Sequence, residues 1–179
     1  MKDINDIPLV TQVAVFHNKR AFDALVRKYQ SQVRRFFMNQ TLGDSQLSDD
    51  LAQDTFIKAY THIGTFRAQA GFSTWLYRIA YNVFYDYMRS RKLTDDIENT
   101  PLPLLKSQGN DGLKLDIYNA MKVLSSVERT CITLQLIDGL TIDEITEVTR
   151  MPSGTVKSHL SRGKGKLAGY LKQNGYDGK

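Results

Sequence analysis

Apolar residues recur along almost the whole chain at the three- and four-residue spacing of an α-helix, and useful runs of apolar–polar alternation are absent. A strand buried on one face needs a period of two, so sheet-based architectures are excluded at the outset. Phe22, Leu25, Val26, Tyr29, Val33, Phe36 and Phe37 share one helical face, with Lys28, Arg34 and Arg35 falling between them. Ala52, Phe56, Ala59 and Ile63 form a second stripe, with Ser48 or Asp49 as its expected cap and Gly64 as its stop. Trp75, Leu76, Ile79, Ala80, Val83 and Tyr87 form a third, opened by Ser73 or Thr74. Arg89, Arg91 and Lys92 close it, where cations suit the negative end of the helix dipole. A shorter helix is expected before residue 20.

The second half repeats the pattern in shorter pieces. Ile117, Tyr118, Met121 and Leu124 line one helix; Val127, Cys131, Leu134 and Ile137 line the next, ended by Gly139. Thr141 and Glu144 have the spacing of a capping box ahead of Ile142, Ile145 and Val148. After Pro152 a further helix begins, with Val156, Leu160 and Leu167 facing inward. Two short helices joined by about four residues, the second of them basic, make a helix-turn-helix pattern.

Between the halves the composition changes. The formal charge is +5 over residues 1–93, −3 over 94–111 and +3 over 112–179. The middle segment also carries Pro101, Pro103 and Gly109 among Asp, Asn and Ser, a linker composition. The competing reading is a long loop within one domain, but structureless loops of that length are uncommon in compact domains. The expected fold is therefore all-α: two small helical domains, 1–93 and 112–179, joined by a flexible linker over 94–111, the C-terminal one a helix-turn-helix domain.

Several function classes drop out on composition. A lone cysteine, Cys131, rules out an internal disulfide framework and a zinc site built on several thiolates. Arg78 and Asn82 interrupt the most apolar stretch, so no membrane insertion is expected, and Met1 to Val10 lacks the order of a signal peptide. A cytoplasmic protein is expected. His17, His62 and His159 are scattered, no metal-ligand spacing occurs, and no nucleophile has a base nearby. Neither catalytic residues nor a cofactor nor a metal is expected.

Two segments carry chemistry instead. From Ser153 to Lys172 there are five basic side chains, Lys157, Arg162, Lys164, Lys166 and Lys172, and no acid. Helical spacing places Lys157, Ser158, Ser161 and Arg162 opposite the apolar face, as a major-groove reader requires; Arg162 suits a bidentate contact with guanine. The amides around Ser153 to Thr155 suit a phosphate. The plainer alternative is a solvated basic face, which the capped preceding helix and tight turn disfavour. Gly163-Lys-Gly165-Lys166 superficially suggests a phosphate loop, but no strand precedes it and Leu167 stands where Ser or Thr belongs. Its glycines are expected to soften the end of the helix. Residues 66–87 hold eight of the chain's eighteen aromatics. Tyr77, Tyr81 and Tyr85 form a second stripe beside Arg78 and Asn82, a combination that suits unstacked bases or, equally, a helix buried on two sides.

In order along the chain, these segments resemble the extracytoplasmic-function branch of bacterial sigma factors. The matching stretches are Ala21-Phe-Asp-Ala-Leu25 with Tyr29, Asp50-Leu-Ala-Gln-Asp-Thr-Phe56, Phe72-Ser-Thr-Trp-Leu-Tyr-Arg-Ile-Ala-Tyr-Asn82 with Asp86, and Pro152-Ser-Gly-Thr-Val-Lys-Ser158. The resemblance implies that Asp50, Leu51, Gln53, Asp54 and Phe56 dock on a coiled coil of the largest subunit of core RNA polymerase. It implies that Phe66, Arg67, Phe72, Arg78 and Asn82 open promoter DNA at the −10 element and hold a flipped base, with Trp75 as support. Thr155, Lys157, Ser158, His159, Ser161 and Arg162 would read the −35 element. The linker would thread near the active centre of the polymerase, and an anti-sigma factor is an expected partner. Thr146 departs from a favoured Ala, Arg150 from a frequent Gly, and His159 from a frequent Arg. A free-standing helix-turn-helix repressor or activator is the alternative. It accounts for the basic helix but not for the aromatic–Arg–Asn stretch or the acidic Asp50–Asp54 face.

Overall fold

The computed structural model describes residues 6–95 and 112–176. Most of the expected linker lies outside them. Among the described residues every regular element is helical. The first domain contains α1 (Ile7–Phe16), α2 (Lys19–Gln40), α3 (Ser45–His62) and α4 (Phe72–Asp95), with a 3-10 turn at Ile63–Thr65. The second contains α5 (Gly112–Met121), α6 (Ser126–Ile132), a π-turn at Thr133–Ile137, α7 (Ile142–Thr149) and α8 (Ser153–Gln173).

The first core forms where the α2 stripe meets α3 and α4. Leu25, Tyr29, Val33, Phe36 and Phe37 of α2 are buried against Ala52 and Ala59 of α3 and Leu76, Ala80 and Val83 of α4. Asn18 caps α2 by accepting from the amides of Arg20 and Ala21. The cap of α3 is Asp44, which accepts from Leu47 N, so this helix begins one turn before the expected Ser48 or Asp49. Ser48 is instead buried inside the helix, donating to the Asp44 carbonyl. At the other end, Tyr29 donates to Asp6 and Lys28 Nζ lies 2.8 Å from the same buried carboxylate, pinning α1 to α2.

The core continues into the second half, where it is built from α6, α7 and α8. The expected capping box closes, Thr141 with Glu144 at α7, and a second one, Ser125 with Glu128, starts α6. Cys131, Ile132, Leu134, Ile145, Val148, Val156 and Leu160 are buried together. Burial raises the Cys131 thiol to about 11, so it stays protonated and packs as a small apolar side chain. Ile117 and Ile137, expected to face inward, are exposed. For Ile137 the cause is local: the π-turn inserts residues into the helical repeat and rotates the face.

Gly163 corrects another expectation. It does not soften α8, which runs unbroken to Gln173; it is buried where α8 crosses α6. A Cβ on it would lie 2.9 Å from Ile132 Cγ1, whereas a Cβ on Gly165 would meet nothing within 4 Å. Gly163 is thus a close-approach residue. Replacing it by Val is expected to cost about 1–3 kcal/mol through overpacking. Gly165→Ala is expected to stabilise by about 0.5–1 kcal/mol through helix propensity. Chemical denaturation of the two variants checks both signs.

Glu128 ties the same crossing electrostatically. Its carboxylate accepts from Ser125 N at 2.9 Å and from Lys166 Nζ at 2.7 Å, with Arg162 Nε at 3.6 Å. Burial opposes its charge, but the Lys166 and Ser125 hydrogen bonds outweigh burial and hold its pKa below the ordinary value of 4.5. A carboxylate so lowered stabilises the fold fully above its unfolded-state pKa, and that contribution is lost as pH falls through the lower folded value. Glu128→Gln is expected to cost about 1–2 kcal/mol near neutrality. The gap to the parent chain should close under acid conditions, which denaturation at a series of pH values measures.

Candidate nucleic-acid and polymerase interfaces

The α3 surface carries the acidic face expected from the sequence. Asp50 and Gln53 are exposed, Asp54 pairs with Lys58 at 3.4 Å, and Asp49 is held by Arg34 at 2.6 Å. Leu51 does not join them: it is 7% exposed and belongs to the core. Its position one turn from Thr55, on the inward side of α3, places it there. Phe56 is half-buried and lies in an apolar groove of about 380 Å³ shared with Phe22, Val26, Ile57 and Tyr60. Ile57, 58% exposed, was missed by the sequence reading. The available signal was its place next to Phe56, off the inward stripe, where an apolar side chain has no packing reason to be.

The loop between the 3-10 turn and α4 builds a second site. Phe66, Phe72 and Trp75 form an aromatic cluster with centroid separations of 5.5–5.7 Å. Within it the roles differ. Phe72 is 2% exposed and packs on Tyr29, so it has no face to offer a base and acts as the floor of the cluster. Phe66 and Trp75 are half-buried and Arg67 is exposed. With Arg78 they line a cleft of about 270 Å³, into which Glu147 of α7 also projects. Asn82, one turn further along α4, lines an adjoining cleft with Lys58, His62 and Arg150. Half-exposed rings beside guanidinium and amide groups have the chemistry to stack a base and bond its edge.

The tyrosine stripe lies elsewhere. Tyr77 is buried against Phe36, and Tyr81 packs on Tyr85 with centroids 4.4 Å apart and the rings tilted by 40°. These rings face the second domain. Tyr77 neighbours Asp138, and burial pushes its hydroxyl well above the ordinary pKa; burial does the same to Tyr81, reinforced by Tyr85 and Cys131. The helix is buried on two sides, and the stripe does not present rings to bases.

The third site is α8. Pro152 supplies no side-chain cap, so first-turn amides remain open to an anion. Thr155, Lys157, Ser158, Ser161 and Arg162 are exposed and His159 is half-buried. Arg162 is braced as well as exposed, with a terminal nitrogen 3.1 Å from His159 Nδ1 and Nε directed at Glu128. The turn before α8 depends on Arg150, which adopts φ 59, the left-handed conformation that a glycine would take more cheaply. Its amide donates to the Thr146 carbonyl at 2.8 Å and closes α7.

Known proteins resemble this chain in both halves. The Sigma-70 region 2 family matches residues 25–94 and the Sigma-70, region 4 family matches residues 114–167. The RNA polymerase sigma-H factor of Pseudomonas aeruginosa is 33% identical, over 81% of this chain and 83% of its own. The ECF RNA polymerase sigma factor SigW of Bacillus subtilis is 34% identical, over 85% and 89%. Among solved structures, the sigma factor RpoE in complex with the anti-sigma factor NepR from Bartonella quintana superposes with a TM-score of 0.73 at 26% identity, covering 84% of this chain and 96% of that one. Two matched regions in the same order, with relatives aligned over most of their length, leave no room for the free-standing regulator: the chain belongs to the extracytoplasmic-function family of RNA polymerase sigma factors.

Proposed function

We propose that the chain divides the work of promoter-directed initiation among three surfaces. Core RNA polymerase, through the coiled coil of its largest subunit, docks on α3, where Asp50, Gln53 and Asp54 rim the apolar groove holding Phe56 and Ile57. The −10 strand enters the cleft of Phe66, Arg67, Trp75 and Arg78, with Asn82 beside it. The −35 duplex receives α8 through Thr155, Lys157, Ser158, His159, Ser161 and Arg162. Residues 1–93 and 112–179 act as the two functional units, with 94–111 running between them through the polymerase. The protein supplies recognition and strand separation while bond formation stays with the polymerase, and it works in the cytoplasm. An anti-sigma factor is its expected regulator.

The observation that carries this reading is the cleft beside the aromatic cluster. Flipping a base costs a few kcal/mol of stacking, which half-exposed rings and an adjacent guanidinium can offset. A duplex-only reader has no use for such a site. Core polymerase plus this protein should start transcription at a restricted set of promoters. Run-off transcription with and without the protein tests this, and equal products in both would refute it. In the same assay, Asp50→Lys combined with Ile57→Asp should abolish the added product while leaving the helical circular dichroism unchanged.

Arg162→Ala should relax discrimination at one base pair of the −35 element by about 1–3 kcal/mol, the worth of a bidentate guanine contact. Binding of the polymerase complex to a promoter series mutated base by base, at one fixed salt concentration, measures it. A uniform loss across the series would instead mark Arg162 as a phosphate contact.

A further inference from the structure

Glu128 belongs to α6, yet it reaches the reading face of α8. Its side chain is only 5% exposed. One carboxylate oxygen, Oε2, accepts twice: from Ser125 N at 2.9 Å in the capping box and from Lys166 Nζ at 2.7 Å. The other, Oε1, faces Arg162 Nε at 3.6 Å. Gly163 makes this approach possible, because a Cβ there would stand 3.7 Å from Glu128 Cβ and 2.9 Å from Ile132 Cγ1. His159, one turn earlier on α8, holds the same guanidinium, with Nδ1 3.1 Å from Arg162 Nη2. A guanidinium can only donate, so Nδ1 is the acceptor and the neutral ring carries its proton on Nε2.

We propose that Glu128 and His159 are positioning residues for −35 recognition, which together fix the Arg162 guanidinium in the orientation that reads guanine. The proposal rests on the assignment of α8 to the −35 duplex and adds what gives its arginine base discrimination. Nε and Nη2 form one edge of a guanidinium, Nη1 and Nη2 another. Protein contacts occupy the first edge at Arg162, which leaves the second as a two-donor fork for O6 and N7 of guanine. An unrestrained arginine reaches many acceptors, phosphates included, and phosphate contacts add affinity without telling bases apart. Held in place before binding, the side chain loses less rotamer freedom on the correct base and cannot shift to suit a wrong one. At adenine the same fork meets the N6 amino group, itself a donor. The acid can stand so near the DNA because it is almost wholly covered and Lys166 offsets its charge.

The test is binding of the polymerase complex, carrying the full chain, to promoter duplexes mutated base by base through the −35 element at one fixed salt concentration. Glu128→Gln keeps the shape but leaves one acceptor oxygen, which cannot serve both Lys166 and Arg162 in their present places. His159→Leu removes the acceptor on α8 without touching α6, and His159→Gln supplies another. Lys166→Met breaks the second Glu128 pair and isolates any effect of the helix crossing. At the base pair that Arg162→Ala relaxes, Glu128→Gln and His159→Leu should each weaken discrimination by about threefold to tenfold, as the loss of one polar contact implies. His159→Gln and Lys166→Met should stay within about twofold of the parent chain there. Added to Arg162→Ala, neither Glu128→Gln nor His159→Leu should change discrimination by more than about twofold, because both act through Arg162. Parent-like discrimination in either variant, with Arg162→Ala still relaxing one pair, would overturn the proposal and leave the −35 assignment standing. An equal loss in Lys166→Met would overturn it too, by tracing the effect to the helix crossing. Should Glu128→Gln lose its helical circular dichroism, His159→Leu, which leaves the α6 contacts intact, decides the matter. A uniform loss across the series in Arg162→Ala would remove the guanine contact and the proposal with it.

Discussion

The double burial of α4 is the constraint on which the rest of the structure depends. Leu76, Ala80 and Val83 turn toward α2 and α3, while Tyr77, Tyr81 and Tyr85 turn toward the second domain. A helix with two apolar stripes leaves only a narrow solvent-facing sector, and that sector holds Arg78, Asn82 and Asp86. Polar side chains are therefore confined to one line along the helix, and a partner that binds α4 through polar contacts has to use it.

The helix-turn-helix half solves a different problem, that of presenting a basic helix rigidly with a small core. Gly163 lets the α8 backbone settle against the Ile132 side chain of α6. Glu128 then neutralises Lys166 and faces Arg162 from beneath. An unpaired acid at that depth would be costly, and basic side chains with nothing beneath them would repel one another. The same carboxylate completes the α6 capping box, so helix start, helix crossing and orientation of the reading face share one residue. The left-handed Arg150 sets the angle between α7 and α8, and a non-glycine residue there stores strain of roughly 1 kcal/mol that the Thr146 bond and the packing of both helices must hold.

Much of this was legible in the sequence because it follows from periodicity and local hydrogen bonding. The α2 stripe, the Thr141–Glu144 capping box and the basic outer face of α8 all repeat at fixed spacing and depend only on neighbours in the chain. Most of what escaped depends on elements distant in sequence. Leu51 and Phe72 fall inside motifs that read as functional, yet Leu51 is buried in the core and Phe72 packs on Tyr29 of α2. The tyrosine stripe is chemically suited to bases, and only the position of the second domain shows what covers it. Gly163 reads as a helix weakener until Ile132 is placed opposite. Asp44 was overlooked as a cap because the turn of α3 that it starts carries few apolar residues to mark its phase.

The contact between the two halves shows how apolar and charged groups share one interface. Two of its ion pairs set an arginine of the first domain against an acid of the second, Arg35 with Asp138 at 2.5 Å and Arg78 with Glu147 at 3.0 Å. The Asp138 side chain is almost wholly covered, and a buried ion pair returns little net stability because both charges give up water. The hold of the second domain on α4 therefore rests on the buried faces of Tyr77 and Tyr81, whose apolar area gains from burial, while the ion pairs fix which groups meet.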